Sequence, residues 1–251
     1  MENIDDKLDK IVENTKRGAS YLLTLSGIGS KLEKTFQPEI IGGCDYKIAF
    51  TSLDTYFSIP NIDSTNNSLQ ISHNGGEFIT IALDRGCYSL EDLNEEINRQ
   101  LKEKKMPDAV QFRAEYTTFR CIMMIQQTYV VKFTEHSLRS VLGFDVKSYV
   151  GRSERYRSEH SVQIMYINSI LVHCDLVSCS YLNGIPAPII HSFFPSVNPG
   201  EKIIERPVEY IYLPVELDAI RHMSVWLTDQ NLKLLDLGEE EVTIKFHLTS
   251  C

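Results

Sequence analysis

Side chains that bind metals stand close together in the stretch LVHCDLVSC, residues 171 to 179. His173 and Asp175 are separated by one residue, and Cys174 and Cys179 belong to the same stretch. Imidazole, carboxylate and thiolate groups are common protein ligands of iron and zinc. Three interpretations follow: an iron site, a zinc site, or a plain β-strand in the wall of a sheet.

The zinc interpretation conflicts with the geometry of an extended chain. In a continuous strand Cys174 and Cys179 lie about 17 Å apart, at about 3.3 Å per residue. His173 and Cys174 point to opposite faces of that strand. Zinc ligands must instead converge to about 2.0–2.3 Å from one ion. A zinc site therefore requires a sharp turn at Ser178, and we do not favour it.

The iron interpretation fits the strand better. His173 and Asp175 share one face, with their Cα atoms about 7 Å apart. This H-x-D placement resembles that of jelly-roll iron oxygenases, which use a 2-His-1-carboxylate triad, and His222 or His247 could supply the third ligand. That family also has an arginine soon after the distal histidine to hold 2-oxoglutarate, yet no arginine follows Arg221 here. An Fe(II)-dependent oxygenase remains an alternative.

The strand interpretation assigns no metal-binding or catalytic role to these side chains. Every second residue forms an apolar face (Ile170, Val172, Cys174, Leu176), and the others form a mixed face (Leu171, His173, Asp175, Val177). Such alternation is typical of a strand with one face on a core and the other toward solvent or a partner. We therefore predict a sandwich wall, with no catalytic, cofactor-binding or metal-binding residue.

Composition and charge favour a soluble protein with protein partners. The 251 residues are 43% hydrophobic and 24% charged, which is ordinary for a globular protein, and the net charge is -9. That charge repels phosphate backbones, so we expect no nucleic-acid contact. The best candidate for such contact is KSYVGRSERYR, residues 147 to 157, which mixes arginines with tyrosines. An exposed polar loop explains it equally well.

The pattern from residue 38 onward indicates β structure. Short runs rich in Val, Ile, Tyr, Phe and Thr alternate with turn signals such as Asn183-Gly184, which favours a sandwich or barrel. Two helices interrupt the strands. One covers residues 89 to 105, with Ser89 as its cap, and the other covers 134 to 144, with Thr134 as cap and Gly143 at its end.

The first 37 residues have a different pattern. Ile4, Leu8, Ile11, Leu22 and Leu23 recur at helical spacing, which predicts an amphipathic helical arm over 1–37. Acidic and basic residues balance at six each in this arm, so binding to a membrane surface is not favoured. No Pro/Gly/Ser-rich linker divides 38–251, which predicts one domain there. The start lacks a signal-peptide pattern, and we expect the six cysteines to be reduced.

Four stretches carry a family resemblance: GCYSLEDLNEEINRQL (86–101), TEHSLRSVLGFD (134–145), INSILVHCDLVSCSYLNG (167–184) and VEYIYLPV (208–215). They resemble the minor capsid, or penton, proteins of Polinton/Maverick elements and virophages. The resemblance implies a single jelly roll. Together with the pattern above, the predicted fold is all-β, a single jelly-roll β-sandwich with two short helices and a helical N-terminal arm. The resemblance also implies that five copies form the vertex capsomer of an icosahedral shell, beside a major capsid protein of double jelly-roll type.

This resemblance implies a structural protein rather than an enzyme. We expect no cofactor and no small-molecule substrate, and location in the virion capsid after assembly in the host cytoplasm or nucleus. Phe193, Phe194, Tyr210 and Tyr212 are the candidate subunit interface, because large apolar residues in exposed segments are costly unless covered. A third interpretation is a β-sandwich module that binds glycans or receptors through its loops.

Overall fold

The computed structural model describes residues 20–41, 46–152, 155–164, 167–215 and 219–250. Within these ranges the chain forms 18 strands and two helices, and neither helix is long and apolar enough to cross a membrane. The strands are β1 Ser20–Ile28, β2 Lys31–Ile41, β3 Tyr46–Tyr56, β4 Ser68–His73, β5 Ile79–Ala82, β6 Val110–Glu115, β7 Arg120–Ile125, β8 Tyr129–Lys132, β9 Ser148–Val150, β10 Tyr156–Arg157, β11 Ile170–Cys174, β12 Tyr181–Leu182, β13 Ile185–Pro186, β14 Ile189–Phe193, β15 Lys202–Glu205, β16 Leu213–Val215, β17 Ala219–Thr228 and β18 Glu241–Ser250. The helices are α1 Leu90–Glu103 and α2 Arg139–Leu142.

The chain packs into two compact units. Unit 1 contains the described residues up to 58 and those from 167 onward, and unit 2 contains residues 59–166. Unit 2 is thus an insertion in the sequence between β3 and β11. This division differs from the single domain 38–251 predicted above, because the inserted segment has enough apolar residues to form its own core.

Unit 1 is a jelly roll. Its two main sheets have the orders β1-β18-β3-β15, with β16 also on β3, and β14-β11-β17-β2. These two sheets contain eight strands when β16 is counted with β15. In chain order the first pairs antiparallel with the eighth (β1 with β18) and the second with the seventh (β2 with β17). The third pairs with the sixth (β3 with β15) and the fourth with the fifth (β11 with β14). This is the wrapped double Greek key of a jelly roll. The prediction of an all-β jelly-roll sandwich is therefore confirmed by the strand pairing.

The strands of unit 1 form because their apolar residues repeat every second position. On β18 the buried residues are Val242, Ile244, Phe246 and Leu248, and the residues between them are more exposed. Phe246 packs edge-on against Phe50 of β3, with ring centroids 6.1 Å apart. Phe50 in turn stacks on His191 of β14 at 4.4 Å, so residues from both sheets meet in one core.

Unit 2 has two sheets, β10-β7-β6 and β5-β4-β8-β9, and both helices. Helix α1 begins as predicted, because the Ser89 hydroxyl accepts from the Asp92 amide and the Asp92 carboxylate accepts from the Ser89 amide. Its predicted apolar residues Leu90, Leu93, Ile97 and Leu101 are all buried in the core of unit 2. The side chain of Asn94 holds α1 on β6 through hydrogen bonds with the amide and carbonyl of Phe112.

The structure corrects the predicted helical arm. Residues 1–19 lie outside the described part, but from Ser20 the chain is strand, and the predicted boundary between residues 37 and 38 falls within β2. Leu23 and Leu25 alternate inward along β1, and the nine residues of β1 pair with β18. The helical interpretation of Leu22 and Leu23 was wrong because the inward residues of this segment, Leu23 and Leu25, repeat at the two-residue spacing of a strand, and pairing with β18 satisfies the backbone.

The second predicted helix is shorter than expected. Helix α2 begins at Arg139, its cap position is Leu138, and no side chain caps it, so Thr134 is not the cap. Gly143 does end the helix with a left-handed conformation, as predicted, at a φ of 80°. The segment before Arg139 is not helical, and in it the Ser137 hydroxyl donates a hydrogen bond to the Thr134 carbonyl.

Candidate functional site

His173 lies in the middle of the buried strand β11, where all five residues are buried. Its ring stacks on Trp226 of the neighbouring strand, with centroids 5.1 Å apart and planes 7° from parallel. Its Nε2 lies 2.8 Å from Oγ1 of Thr228, whose hydroxyl donates to the Asp229 carbonyl. We therefore assign Nε2 as the donor to Thr228, which makes Nδ1 a buried acceptor with no hydrogen-bond partner among the described residues. The predicted mixed face, expected toward solvent or a partner, is thus buried at His173.

Asp175 has a structural role just beyond the end of β11. Its carboxylate accepts a hydrogen bond of 2.9 Å from the amide of Ser224 on β17, and its own amide donates to the Ser224 carbonyl. The other carboxylate oxygen lies 3.6 Å from Nδ1 of His222. Asp175 therefore fastens the turn after β11 to the adjacent strand.

The proposed iron ligands are not brought together. His173 is bonded to Thr228, whereas Asp175 lies beside His222. His247 is bonded through Nδ1 to the Tyr212 hydroxyl and through Nε2 to the Ser20 hydroxyl, each at 2.6 Å. Across the described ranges no group of three or more His, Cys, Asp or Glu side chains could hold a metal. The residues that were candidates for an oxygenase site therefore form separate structural contacts.

The cysteines of the stretch are also separated. Cys174 is fully buried, and burial raises the pKa of its thiol to about 12, so it remains protonated at neutral pH. Cys179 is exposed. These two and Cys87 and Cys121 are unpaired, whereas Cys44 and Cys251 lie outside the described residues.

The buried imidazole of His173 predicts a loss of stability in acid. Burial lowers its pKa in the folded chain, whereas in the unfolded chain the pKa is about 6.5. As pH falls below about 6.5 the unfolded chain binds the proton first, so stability decreases until the lower folded pKa is passed. His173→Phe retains a ring against Trp226 and removes the unpaired nitrogen. We expect it to abolish this part of the acid loss and to change the stability at pH 7 by no more than about 1 kcal/mol, because loss of the hydrogen bond to Thr228 offsets removal of the unpaired nitrogen.

Urea unfolding of the wild type and the His173→Phe variant at pH 7 and pH 5, followed by circular dichroism, tests this prediction. The contacts of His191 with Glu205 and of His222 with Asp175 are present in both proteins, so the comparison isolates the effect of His173. Equal loss of stability in the two proteins between these pH values contradicts the prediction.

Two of the candidate interface residues lie at the end of an edge strand. Phe193 is the last residue of β14, and its half-buried ring lies 6.1 Å from that of His191. Phe194 follows directly and is 56% exposed. The two residues therefore differ: Phe193 contacts its own unit, and Phe194 is available to a partner.

The other two candidates lie in residues 206–212, the connection between β15 and β16, which is not a strand. Tyr212 extends across the outer face of its sheet, where its hydroxyl meets His247. Tyr210 is exposed and makes no such contact within the part of the chain that the structure describes. Sequence reasoning missed two neighbours, Val208 and Ile211, which are 102% and 69% exposed. The prolines at 207 and 214 indicate this exposure, because proline lacks the amide that a central strand requires.

A second exposed apolar group lies at the opposite edge of the same sheet. Leu22 and Ile28 belong to β1, which among the described strands pairs with β18 alone and so forms a sheet edge. Both point away from the core, because Leu23 and Leu25 occupy the inward positions. The prediction of a helix over this segment did not indicate that these two side chains are exposed.

The basic stretch 147–157 is largely engaged within unit 2. Lys147 pairs with Glu159 at 2.5 Å, and Arg157 pairs with Glu115 at 2.7 Å. The ring of Tyr149 is buried, and burial together with its hydrogen bonds to Glu159 raises the pKa of its phenol. The tyrosine is therefore not available for stacking on a base.

Comparison with known proteins gives weak similarity. The crystal structure of the mavirus penton protein matches 93% of this chain and 100% of its own chain, with 12% identity and a TM-score of 0.48. The D2-D3 domains of the flagellar cap protein FliD from Escherichia coli match 90% of this chain and 98% of their own, with 16% identity and a TM-score of 0.15. No protein-family model and no curated protein sequence matches. The jelly-roll assignment therefore rests on the strand pairing of unit 1 itself.

Proposed function

We propose that this chain is a structural capsid protein of the penton type, with five copies forming the vertex capsomer of an icosahedral shell. Unit 1 has the eight-strand jelly-roll pairing that occurs in viral capsid domains. The sequence resemblance described above suggests the five-fold assembly. The fold alone also suits lectins and cupins, so the argument for assembly depends on the surface of unit 1.

The observation that carries the proposal is the position of two exposed apolar groups at opposite edges of unit 1. The first, the β15 patch, consists of Phe194, Ile204, Val208, Tyr210 and Ile211. The second, the β1 patch, consists of Leu22 and Ile28 on the outer face of one edge strand, about 20 Å apart along it. β14 and β15 lie together at one side of the sandwich, since His191 and Glu205 bond at 2.9 Å, whereas β1 is the far edge of the sheet.

Patches at opposite edges suit a ring. A closed ring requires heterologous contacts, in which one surface of each subunit meets a different surface of the next. Exposed apolar residues on a soluble protein indicate a surface that a partner covers. We propose that the β15 patch of one copy meets the β1 patch of the next, with Phe193 and Tyr212 supporting the contact from within their own subunit.

The oligomeric state of variants tests this assembly. We expect Phe193→Asp/Phe194→Asp to be monomeric, because buried carboxylates in an apolar contact cost several kcal/mol. The single variant Phe194→Asp measures the effect of the exposed ring without changing the half-buried ring of Phe193. Tyr116→Asp, at an exposed aromatic of unit 2, is the matched control and should retain the wild-type mass. Full-sized oligomers of the double variant in native mass spectrometry refute the proposed interface.

Mixing two single variants distinguishes the heterologous contact from other interfaces. Phe194→Asp retains an intact β1 patch, and Leu22→Asp retains an intact β15 patch. Each should be monomeric alone, whereas their mixture should form one productive contact and hence a heterodimer. Negative-stain images of the wild-type protein should show five-fold rings. Monomeric wild-type protein contradicts the assembly.

The remaining parts of the proposal concern partners and location. We propose that the capsomer joins a major capsid protein of double jelly-roll type and that the protein resides in the virion capsid. A shell protein requires subunit contacts rather than a reaction centre, and the former candidates for an iron site hold strands together instead. Metal analysis of the purified protein tests this point: stoichiometric iron contradicts a purely structural role.

A further inference from the structure

The hairpin of β6 and β7 in unit 2 ends in two exposed aromatic side chains. Tyr116 and Phe119 flank the two threonines of the turn and are 80% and 75% exposed. They are among the most exposed large apolar residues in the described part of the chain. The core of unit 2 does not require them, since β6 and β7 contribute Phe112, Cys121 and Met123 to it.

The turn holds these rings in a fixed position. The Glu115 carboxylate accepts from the Thr118 hydroxyl and from Arg157, and the Thr118 amide donates to the Glu115 carbonyl. The Phe119 carbonyl accepts from the Val162 amide at 2.9 Å. The tip is therefore organised before any partner binds.

Phe119 has a left-handed backbone conformation, with a φ of 53°. This conformation suits glycine or asparagine and is unfavourable for a bulky side chain. A phenylalanine there does not help the turn to form. A phenylalanine at an exposed position with strained backbone favours a role in contact with another surface.

Three arginines lie behind the tip on the outer face of the same sheet. Arg113, Ile122 and Arg157 form one row across β6, β7 and β10, and Arg120 lies one row nearer the tip beside Glu115. Three positive charges and one negative charge thus share this face, in a chain whose net charge is -9. Arg113 is exposed, and the Arg120 guanidinium donates to the carbonyls of residues 158 and 159.

We propose that the β6–β7 tip of unit 2 binds the surface of an anionic lipid bilayer. Aromatic side chains favour the membrane–water interface, and basic residues near it are attracted to acidic headgroups. Arg113 lies three residues behind Tyr116, about 10 Å along the strand, whereas Arg157 in the same row is already paired with Glu115. That distance is similar to the thickness of a headgroup layer and to the Debye length of about 8 Å, so the rings and the Arg113 guanidinium engage the interface together.

The same observations favour lipid over nucleic acid. Stacking on bases requires aromatic faces within the basic surface. Here Tyr149 is buried, and the ring of Tyr156 is covered by Arg152, whose guanidinium lies 4.4 Å from the ring centroid. The two exposed rings project from the end of the hairpin instead. This inference concerns a different surface from the proposed assembly and does not depend on it.

Co-sedimentation of the full chain with vesicles tests the proposal. The vesicles contain phosphatidylcholine alone or with about one third phosphatidylserine, whose charge attracts the arginines. We expect binding to the anionic vesicles only. Tyr116→Ser/Phe119→Gly should weaken it at least about tenfold by removing apolar contact. Arg113→Glu should weaken it at least about fivefold.

The controls distinguish specific binding by the hairpin tip from misfolding and from non-specific adsorption to vesicles. Phe119→Gly relieves the left-handed strain, so the aromatic variant should be at least as thermally stable as the wild type. Tyr210→Ser removes an exposed aromatic of unit 1, and Lys102→Glu reverses an exposed charge on α1; both should bind vesicles like the wild type. Absent binding, equal binding to both vesicles, or unchanged binding by the aromatic variant overturns the proposal. Binding of a single-stranded DNA oligonucleotide without vesicle binding also overturns it.

Discussion

Gly143→Ala is expected to destabilise unit 2 by about 2–5 kcal/mol, the sum of backbone strain and a steric clash. Gly143 has a φ of 80°, and a Cβ built there clashes with the carbonyl oxygen of His160. That segment cannot move freely, because the His160 amide donates to the Gly143 carbonyl and the Ser158 amide donates to the Cys121 carbonyl. Phe144, the next residue, is fully buried against Phe133.

Gly75→Ala separates strain from clash in the same unit. Gly75 has a similar φ of 72°, but nothing lies within 4 Å of a Cβ built there. We expect this control to lose only about 1 kcal/mol, from the left-handed backbone alone. Hydrogen exchange of the α1 amides, which lie over the core of unit 2, measures the loss of stability that each of the two substitutions causes. Equal effects of the two substitutions mean that the clash with His160 is relieved at little cost.

Phe246→Ala is expected to destabilise unit 1 by about 3–5 kcal/mol, the usual range for a fully buried aromatic ring. Phe246 is on β18, between β1 and β3 in the sheet, and is fully buried. Its loss leaves a cavity beside Phe50, which also stacks on His191 of the opposite sheet. The cavity therefore lies between the two sheets of the jelly roll.

Lys245→Ala is the matched control on the same strand. Lys245 points to the other face of the sheet, and we expect a change within about 0.5 kcal/mol. The chain has one tryptophan, Trp226, which belongs to unit 1. Its fluorescence during urea unfolding therefore reports the stability of this unit directly. A loss below about 1 kcal/mol for Phe246→Ala contradicts the packing of the sheets around this ring.

Several local features could be predicted from the sequence because their causes are local. The cap of α1 depends on Ser89 and Asp92, three residues apart, and the left-handed end of α2 depends on Gly143 alone. Alternation of apolar residues indicated the strands and the wall character of 170–174. Helical spacing and strand spacing coincide over short runs, however, so the pattern at Leu22 and Leu23 misidentified β1.

The candidate site was predicted in part. Phe194 and Tyr210 were singled out from the sequence, and the structure places both on the surface of unit 1. Whether they contact another subunit stays a prediction. The exposed residues Val208 and Ile211 were missed, because exposure of an apolar residue depends on what packs over it and not on its type.

The sequence by itself determined the class of fold, the start of α1 and the end of α2, since these follow from side chains within a few positions of one another. Only the tertiary structure decided that residues 59–166 form a separate unit and that His173, Asp175 and His247 take different partners. Strand pairing joins residues far apart in the chain, such as Leu23 with Phe246, and no local pattern specifies that choice. The same long-range pairing sets β1 and β15 at opposite edges of one sheet, where both bear the apolar residues on which the proposed assembly depends.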